Sequence, residues 1–162
     1  MKKIQLSFLA VLLGATTFAQ KADFSGIWIL QEKTLIAGPD YANGVPKKIT
    51  INQTKDSITI TRVSQGENND EITIVTAALN GEPIVMVTRP TRKRSTIVWL
   101  NADKKEFTET AAFTNDGEQK PDLKIIYTWS LTDEGNTITL LREDEDFSNG
   151  EKFQMKGLYK KQ

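Results

Sequence analysis

The chain has no cysteine and no histidine, and these two absences exclude more chemistry than any residue present suggests. No disulfide framework holds the fold, and no thiolate is available as a nucleophile. Ser-His triads, imidazole acid–base steps and His-based zinc sites are excluded as well. Charge of one sign is also lacking. Lysine and arginine total 21 against 21 aspartate and glutamate residues, so the basic excess that marks nucleic-acid or anionic-membrane binding is missing. No stretch repeats apolar residues at helical spacing, and no apolar run reaches the ~20 residues of a spanning helix.

What is there begins with an address. Met1-Lys2-Lys3 is a positive start, Ile4 to Leu13 is an apolar run broken by Gln5 and Ser7, and Thr17-Phe18-Ala19 supplies small residues where a signal peptidase reads. This pattern predicts a signal peptide over residues 1–19 and one mature domain over residues 20–162. Leu13-Gly14-Ala15 resembles the start of a bacterial lipobox without the Cys that carries the lipid. The expected product is therefore soluble, periplasmic or secreted, with no membrane span.

The domain is organised around Asp23-Phe24-Ser25-Gly26-Ile27-Trp28-Ile29-Leu30, where Phe24, Gly26, Trp28 and Leu30 fall on one face of a strand. A loop from Ala37 to Pro46 follows, marked by two prolines, two glycines and an Asn-Gly step. Alternating segments then recur. Ile49 to Gln53 and Ile58 to Arg62 flank a Thr54-Lys55-Asp56 turn, and Ile72 to Leu79 and Ile84 to Thr88 flank Asn80-Gly81. Further strands are expected over Thr96 to Leu100, Phe107 to Phe113, Leu123 to Leu131, Ile138 to Arg142 and Lys152 to Tyr159. Arg89 to Arg94 reads as a basic, proline-containing surface connector. This spacing predicts an all-β domain, a single antiparallel up-and-down barrel of about 8–10 strands, with a β-sandwich as the alternative.

Gly26-Ile27-Trp28, the long loop after it, the segment from Asp133 to Leu140 and the closing Leu158-Tyr159-Lys160 carry a likeness. The chain resembles the lipocalin-like domain proteins that bacteria export to the cell envelope, calycin-type barrels. The resemblance implies a barrel around a binding cavity. It also implies that Trp28 lies at the closed end, covered by an arginine from a late strand, a part that falls to Arg142.

Inward alternation carries Arg62 with Ile58 and Ile60, and Arg142 with Ile138 and Leu140. A buried guanidinium needs an acid, an aromatic face, water or a ligand. Arg62 and Arg142, with Tyr127, are therefore candidates to meet an anionic or polar group in the cavity. The alternative has one arginine covering Trp28 and the other pairing with Glu109, or both ending their strands in solvent. Glu109 shares a face with Phe107, Ala111 and Phe113; Trp28, Trp99 and Trp129 complete the candidate lining, or else form packed core. Tyr41 and Val45 lie on the loop expected to act as a lid. No catalytic residue, metal site or cofactor is predicted, since the acidic run from Glu143 to Asp146 lacks calcium-loop spacing and reads as a solvated turn. The expected function is binding of a small apolar or amphipathic molecule by an exported protein that is not an enzyme. The alternatives are an envelope protein-interaction module with a filled core and a carboxylate-based hydrolase.

Overall fold

The computed structural model describes residues 22–41, 44–103 and 105–162; the signal peptide expected over residues 1–19 lies outside them. Ten strands follow one another: β1 (Gly26–Ala37), β2 (Lys48–Gln53), β3 (Ser57–Gln65), β4 (Asp70–Ala78), β5 (Ile84–Arg89), β6 (Arg92–Asn101), β7 (Glu106–Asn115), β8 (Leu123–Thr132), β9 (Thr137–Asp146) and β10 (Lys152–Lys161). A single 3-10 turn, Asp133–Gly135, joins β8 to β9. Among the described residues no helix is long and apolar enough to cross a membrane.

All ten strands belong to one sheet in the order β4-β3-β2-β1-β10-β9-β8-β7-β6-β5. Every neighbouring pair is antiparallel, and β10 returns to lie beside β1, with Trp28 opposite Lys161 and Lys33 opposite Gly157. The result is a nearly closed up-and-down barrel, as the alternation predicts, and a single continuous sheet rules out the sandwich. Its one seam runs between β4 and β5. At one end the seam is tied: Asn80 bridges Trp99, and the Gly81 N–H donates to the Val98 carbonyl at 3.1 Å. Gly81 has φ of +82°, and a Cβ there would collide with the Trp99 indole, so the Asn-Gly reversal needs its glycine twice over.

The period-two pattern decides what goes inside. Ile49 and Ile51 on β2, Ile58 and Ile60 on β3, Val98 on β6, Ile138 and Leu140 on β9, and Met155 and Tyr159 on β10 are all buried. Phe24, Trp28, Phe107 and Trp129 fill the lower half, with Phe107 edge-on to Phe24 at 4.7 Å and stacked on Trp129 at 5.4 Å. Each such ring contributes about 1.5–3 kcal/mol by leaving water. Trp28 is the centre the sequence indicates: it is fully buried, and its indole N–H donates to the Phe24 carbonyl at 3.0 Å. Its cover is different from the expected one. The Lys161 ammonium lies 5.3 Å from the Trp28 ring, because β10 delivers that residue beside β1, while Arg142 lies toward the other end of β9.

Candidate functional site

The upper half of the barrel is not filled by apolar side chains. Along the inner face, apolar residues give way to charged ones at corresponding heights. On β3 the series Ile58, Ile60 continues into Arg62, and on β9 Ile138, Leu140 continues into Arg142. On β6, read backwards, Val98 and Thr96 continue into Arg94 and Arg92. The register of β6, β7 and β8 sets Val98 opposite Glu109 and Glu109 opposite Tyr127. Glu109 thus enters the interior where apolar core meets arginine layer.

Glu109 is fully buried and holds two arginines. Its Oε2 accepts from Arg62 Nη2, and its Oε1 accepts from Arg94 Nη2 at 2.9 Å. Both guanidiniums are themselves nearly inaccessible, with Arg62 5 % and Arg94 8 % exposed. Arg62 also lies over the Tyr127 ring at 4.7 Å and the Trp129 ring at 5.4 Å, while Arg94 lies 5.6 Å from Phe113. These faces attract the cations and fix their planes. Two of the outer arginines, Arg92 and Arg142, each have an acid of their own. Arg92 Nη2 donates to both Asp122 oxygens at 2.8 and 2.9 Å. Arg142 donates to Asp144 through Nε at 2.8 Å and Nη2 at 2.6 Å, and through Nη1 to the Gly44 carbonyl at 2.9 Å.

Above this layer lies a cavity of about 660 Å³, lined by Arg62, Arg89, Arg92, Arg94 and Arg142 with Glu71 the sole acid, and by Phe113, Leu123 and Tyr127. Its volume falls within the roughly 300–1,000 Å³ usual for small-ligand sites. Several buried polar atoms near its floor have no partner among the described residues: Nε of Arg62, Arg92 and Arg94, Oγ1 of Thr96 and Nε1 of Trp129. Native interiors leave few such atoms, and a cluster of them asks for an explanation. Among the described residues no group of acids, cysteines or histidines is placed to hold a metal. A smaller hollow of about 290 Å³ over β8, β9 and β10 carries both signs of charge, Lys124 and Lys152 with Glu143 and Glu145, and gathers no comparable set of buried polar atoms.

The sequence-predicted residues separate clearly on this framework. Arg62, Tyr127 and Arg142 line one cavity, and Glu109 pairs with Arg62 at its floor. Trp28 and Trp129 are core, each fully buried, with Trp129 forming the base beneath Arg62. Trp99 is a correction: it is 59 % exposed, because its neighbour Val98 takes the inward position and turns the indole out onto Gly81. The lid is corrected too. Val45 is buried in the core, and the carbonyls beside it are tied by Arg142 and by the Tyr159 hydroxyl, which donates to the Pro46 carbonyl at 2.8 Å. Tyr41 lies against Phe153 at 5.4 Å and remains half exposed. The end of this loop is therefore wall, not gate. Burial pushes the Tyr159 hydroxyl well above the ordinary tyrosine value, with the Arg62 cation opposing that rise.

Arg92 and Arg94 were expected in a surface connector and instead belong to β6, facing in. Extending the alternation back from Val98 through Thr96 finds them; Pro90 interrupts the pattern only before Arg92. The run from Glu143 to Asp146 ends β9 instead of forming a loop, and Asp144 faces the same interior as Arg142. No protein-family model matches the chain, and no curated protein matches it.

Proposed function

We propose that this barrel binds a small amphipathic ligand through an anionic group seated on the Arg62–Arg94 pair. The observation behind the proposal is that one buried carboxylate, Glu109, serves two buried guanidiniums. The floor of the cavity therefore holds an excess positive charge with little access to solvent, a state that is unfavourable until an anion completes it. Phe113, Leu123 and Tyr127 line the same space and offer apolar contact for the remainder of the ligand. A wholly apolar ligand fits worse, since it removes water from the arginines and returns no acceptor. Of the ligand chemistries expected from the sequence, we keep the amphipathic one together with the anionic group named there for the inward arginines, and seat that group on Arg62 and Arg94.

The role is binding, not hydrolysis. Both oxygens of Glu109 are engaged by guanidinium groups, and Asp144 is held by Arg142, so both carboxylates are committed to ion pairs within the wall. Membership of the lipocalin-like proteins, which the barrel is compatible with, and a periplasmic or secreted location, which rests on the signal-peptide pattern of residues 1–19, remain part of the proposal.

Arg94→Met tests the reading, because it removes the excess cation and leaves Glu109 paired with Arg62. Calorimetric titrations with decanoate, glutarate and inorganic phosphate should show binding of at least one of these anions, weakened about tenfold or more by the substitution. Decanol, with the same tail as decanoate and no charge, should bind weakly. Unchanged anion affinity in the variant, or decanol binding as tightly as decanoate, overturns the reading.

A further inference from the structure

The wall of the arginine cavity includes the seam. Glu71 and Thr73 on β4 and Thr88 and Arg89 on β5 line it from the two sides, yet β4 and β5 are the two ends of the sheet order and do not pair with each other. Ala77 and Val75 are buried, so Thr73 and Glu71, on the same face of β4, point inward by alternation; Ile84 packs on the core, so Met86 and Thr88 point inward on β5. All four of these inward-facing side chains are nevertheless exposed. At the height of these residues β4 and β5 are exposed on both faces, so the cavity reaches the surface between them.

Both borders carry unpaired main-chain N–H and C=O groups, since alternate residues of an edge strand direct theirs away from the sheet. The features that blunt an edge are confined to one end of the seam, where Asp70 and Glu71 open β4 and a bulge between Val87 and Arg89 ends β5. The interior of β5 contains no proline and no charge before Arg89. The outward residues are apolar and open to solvent: Ile72 66 %, Ile74 55 %, Val85 66 % and Val87 69 % exposed. Such an edge is a template for one more strand.

We propose that the ligand is an extended peptide that adds as a strand along the β4–β5 seam and directs an acidic side chain onto Arg62 and Arg94. The proposal rests on the reading of those arginines as an anion site. A strand in the seam pairs its main chain with an open edge, places alternate side chains inward over the arginines, and covers the outward valines and isoleucines with its other face. Charge selects this occupant over a second copy of the chain. Pairing β5 with its own copy brings no acid to the arginine layer, since the only charge β5 carries is Arg89, whereas an acidic segment is complementary to the five arginines that line the cavity.

The probes are N-acetylated, C-amidated hexapeptides of mixed Thr and Val with Glu fixed at a central position, selected as a pool on the immobilised full chain. The selected peptide should bind about tenfold or more tightly than glutarate. Its Gln counterpart should bind about tenfold less tightly, and so should a version N-methylated at alternate amides in one of the two registers, each loss reflecting one or two missing hydrogen bonds. Equal binding of both N-methylated versions, with the Glu requirement intact, overturns strand pairing and leaves the anion site standing. Equal binding of the Gln peptide overturns the anion site itself. A pool with no binder tighter than glutarate overturns the peptide proposal. Sedimentation of the protein alone should show a monomer; a dimer abolished by Val87→Lys assigns the seam to a second copy and overturns it too.

Discussion

Replacing Glu109 by glutamine removes the single anion that two buried arginines share. Arg62 and Arg94 are 5 % and 8 % exposed, so each has little contact with water beyond the cavity above, and the glutamine amide returns at most one neutral acceptor. Breaking a buried ion pair by removing one partner is destabilising by about 3–5 kcal/mol. Here two pairs are lost together, but the cavity above admits water to the guanidiniums, and about 3 kcal/mol is the expected net loss. For a domain of this size that corresponds to roughly 10 °C in melting temperature. Urea unfolding at pH 7, followed by tryptophan fluorescence, measures it directly, with Trp129 lying beneath Arg62 as reporter. A second variant makes the reasoning strict. Arg62→Met, Arg94→Met and Glu109→Leu together remove the whole triad and should leave stability within about 1 kcal/mol of the parent, or raise it, because desolvation and attraction disappear together. The same triple variant should bind no anion. A Glu109→Gln loss below 1 kcal/mol, or a triple variant as unstable as the single one, refutes the account of a buried and under-compensated cluster.

Three further outcomes follow from the rest of the fold. Trp28→Ala should lose about 3–5 kcal/mol in the same unfolding assay, since a fully buried indole and its bond to Phe24 are both removed; a loss under 1 kcal/mol displaces Trp28 from the core. Tyr159 should stay protonated in the folded state as pH rises past the ordinary tyrosine value of 10.0, because burial raises its hydroxyl pKa above it. The raised value means that the folded state keeps a proton the unfolded state gives up. Stability is therefore complete below pH ~10 and falls as pH rises beyond it, by up to about 1.4 kcal/mol per pH unit for this group, and Tyr159→Phe should remove that part of the alkaline loss. Asp23 should titrate below the usual carboxylate range, held there chiefly by the Ser25 side chain and then by the Ser25 N–H. Its contribution is present above the ordinary value of 3.8 and fades as pH falls through the lowered one; Ser25→Ala should move the carboxyl signal partway back in an NMR titration.

How much of this was legible in the residues depends on which force placed them. Strands β2, β3, β8 and β9 announce themselves because one face is apolar and the other is not, and a one-residue slip would expose the entire set. The Asn80-Gly81 turn is legible for a local reason, the positive φ that glycine tolerates. Arg62 and Arg142 were found because they stand next in line after buried isoleucine and leucine. Arg94 obeys the same rule, but Pro90 and the cluster of basic residues around it imitate a loop, and nothing local distinguishes a charge that faces in from one that faces out. That distinction comes from Glu109, fifteen residues away in sequence from Arg94 and brought beside it by strand pairing. Trp99 failed in the opposite direction. Ring size favours the interior on average, yet strand parity gave the inward position to Val98 and left the indole to cover Gly81.

The arginine layer cannot be accounted for by stability. Lower in the barrel, isoleucine, phenylalanine and tryptophan occupy equivalent inward positions and need no partners. Continuing that series upward would bury more apolar area, leave no unpaired Nε atoms, and remove the requirement for a carboxylate in the interior. Instead, strands β3, β6 and β9 each exchange an apolar residue for an arginine at the height where the cavity begins, and β7 supplies one acid for two of them. Cations assembled there by three separate strands and braced by Phe113, Tyr127 and Phe153, with one acid between Arg62 and Arg94, are the arrangement on which the proposed anion site rests. Among the described residues the two end strands of the sheet, β4 and β5, border the same cavity as these arginines, so the proposed anion site and the proposed strand site stand or fall on one shared wall.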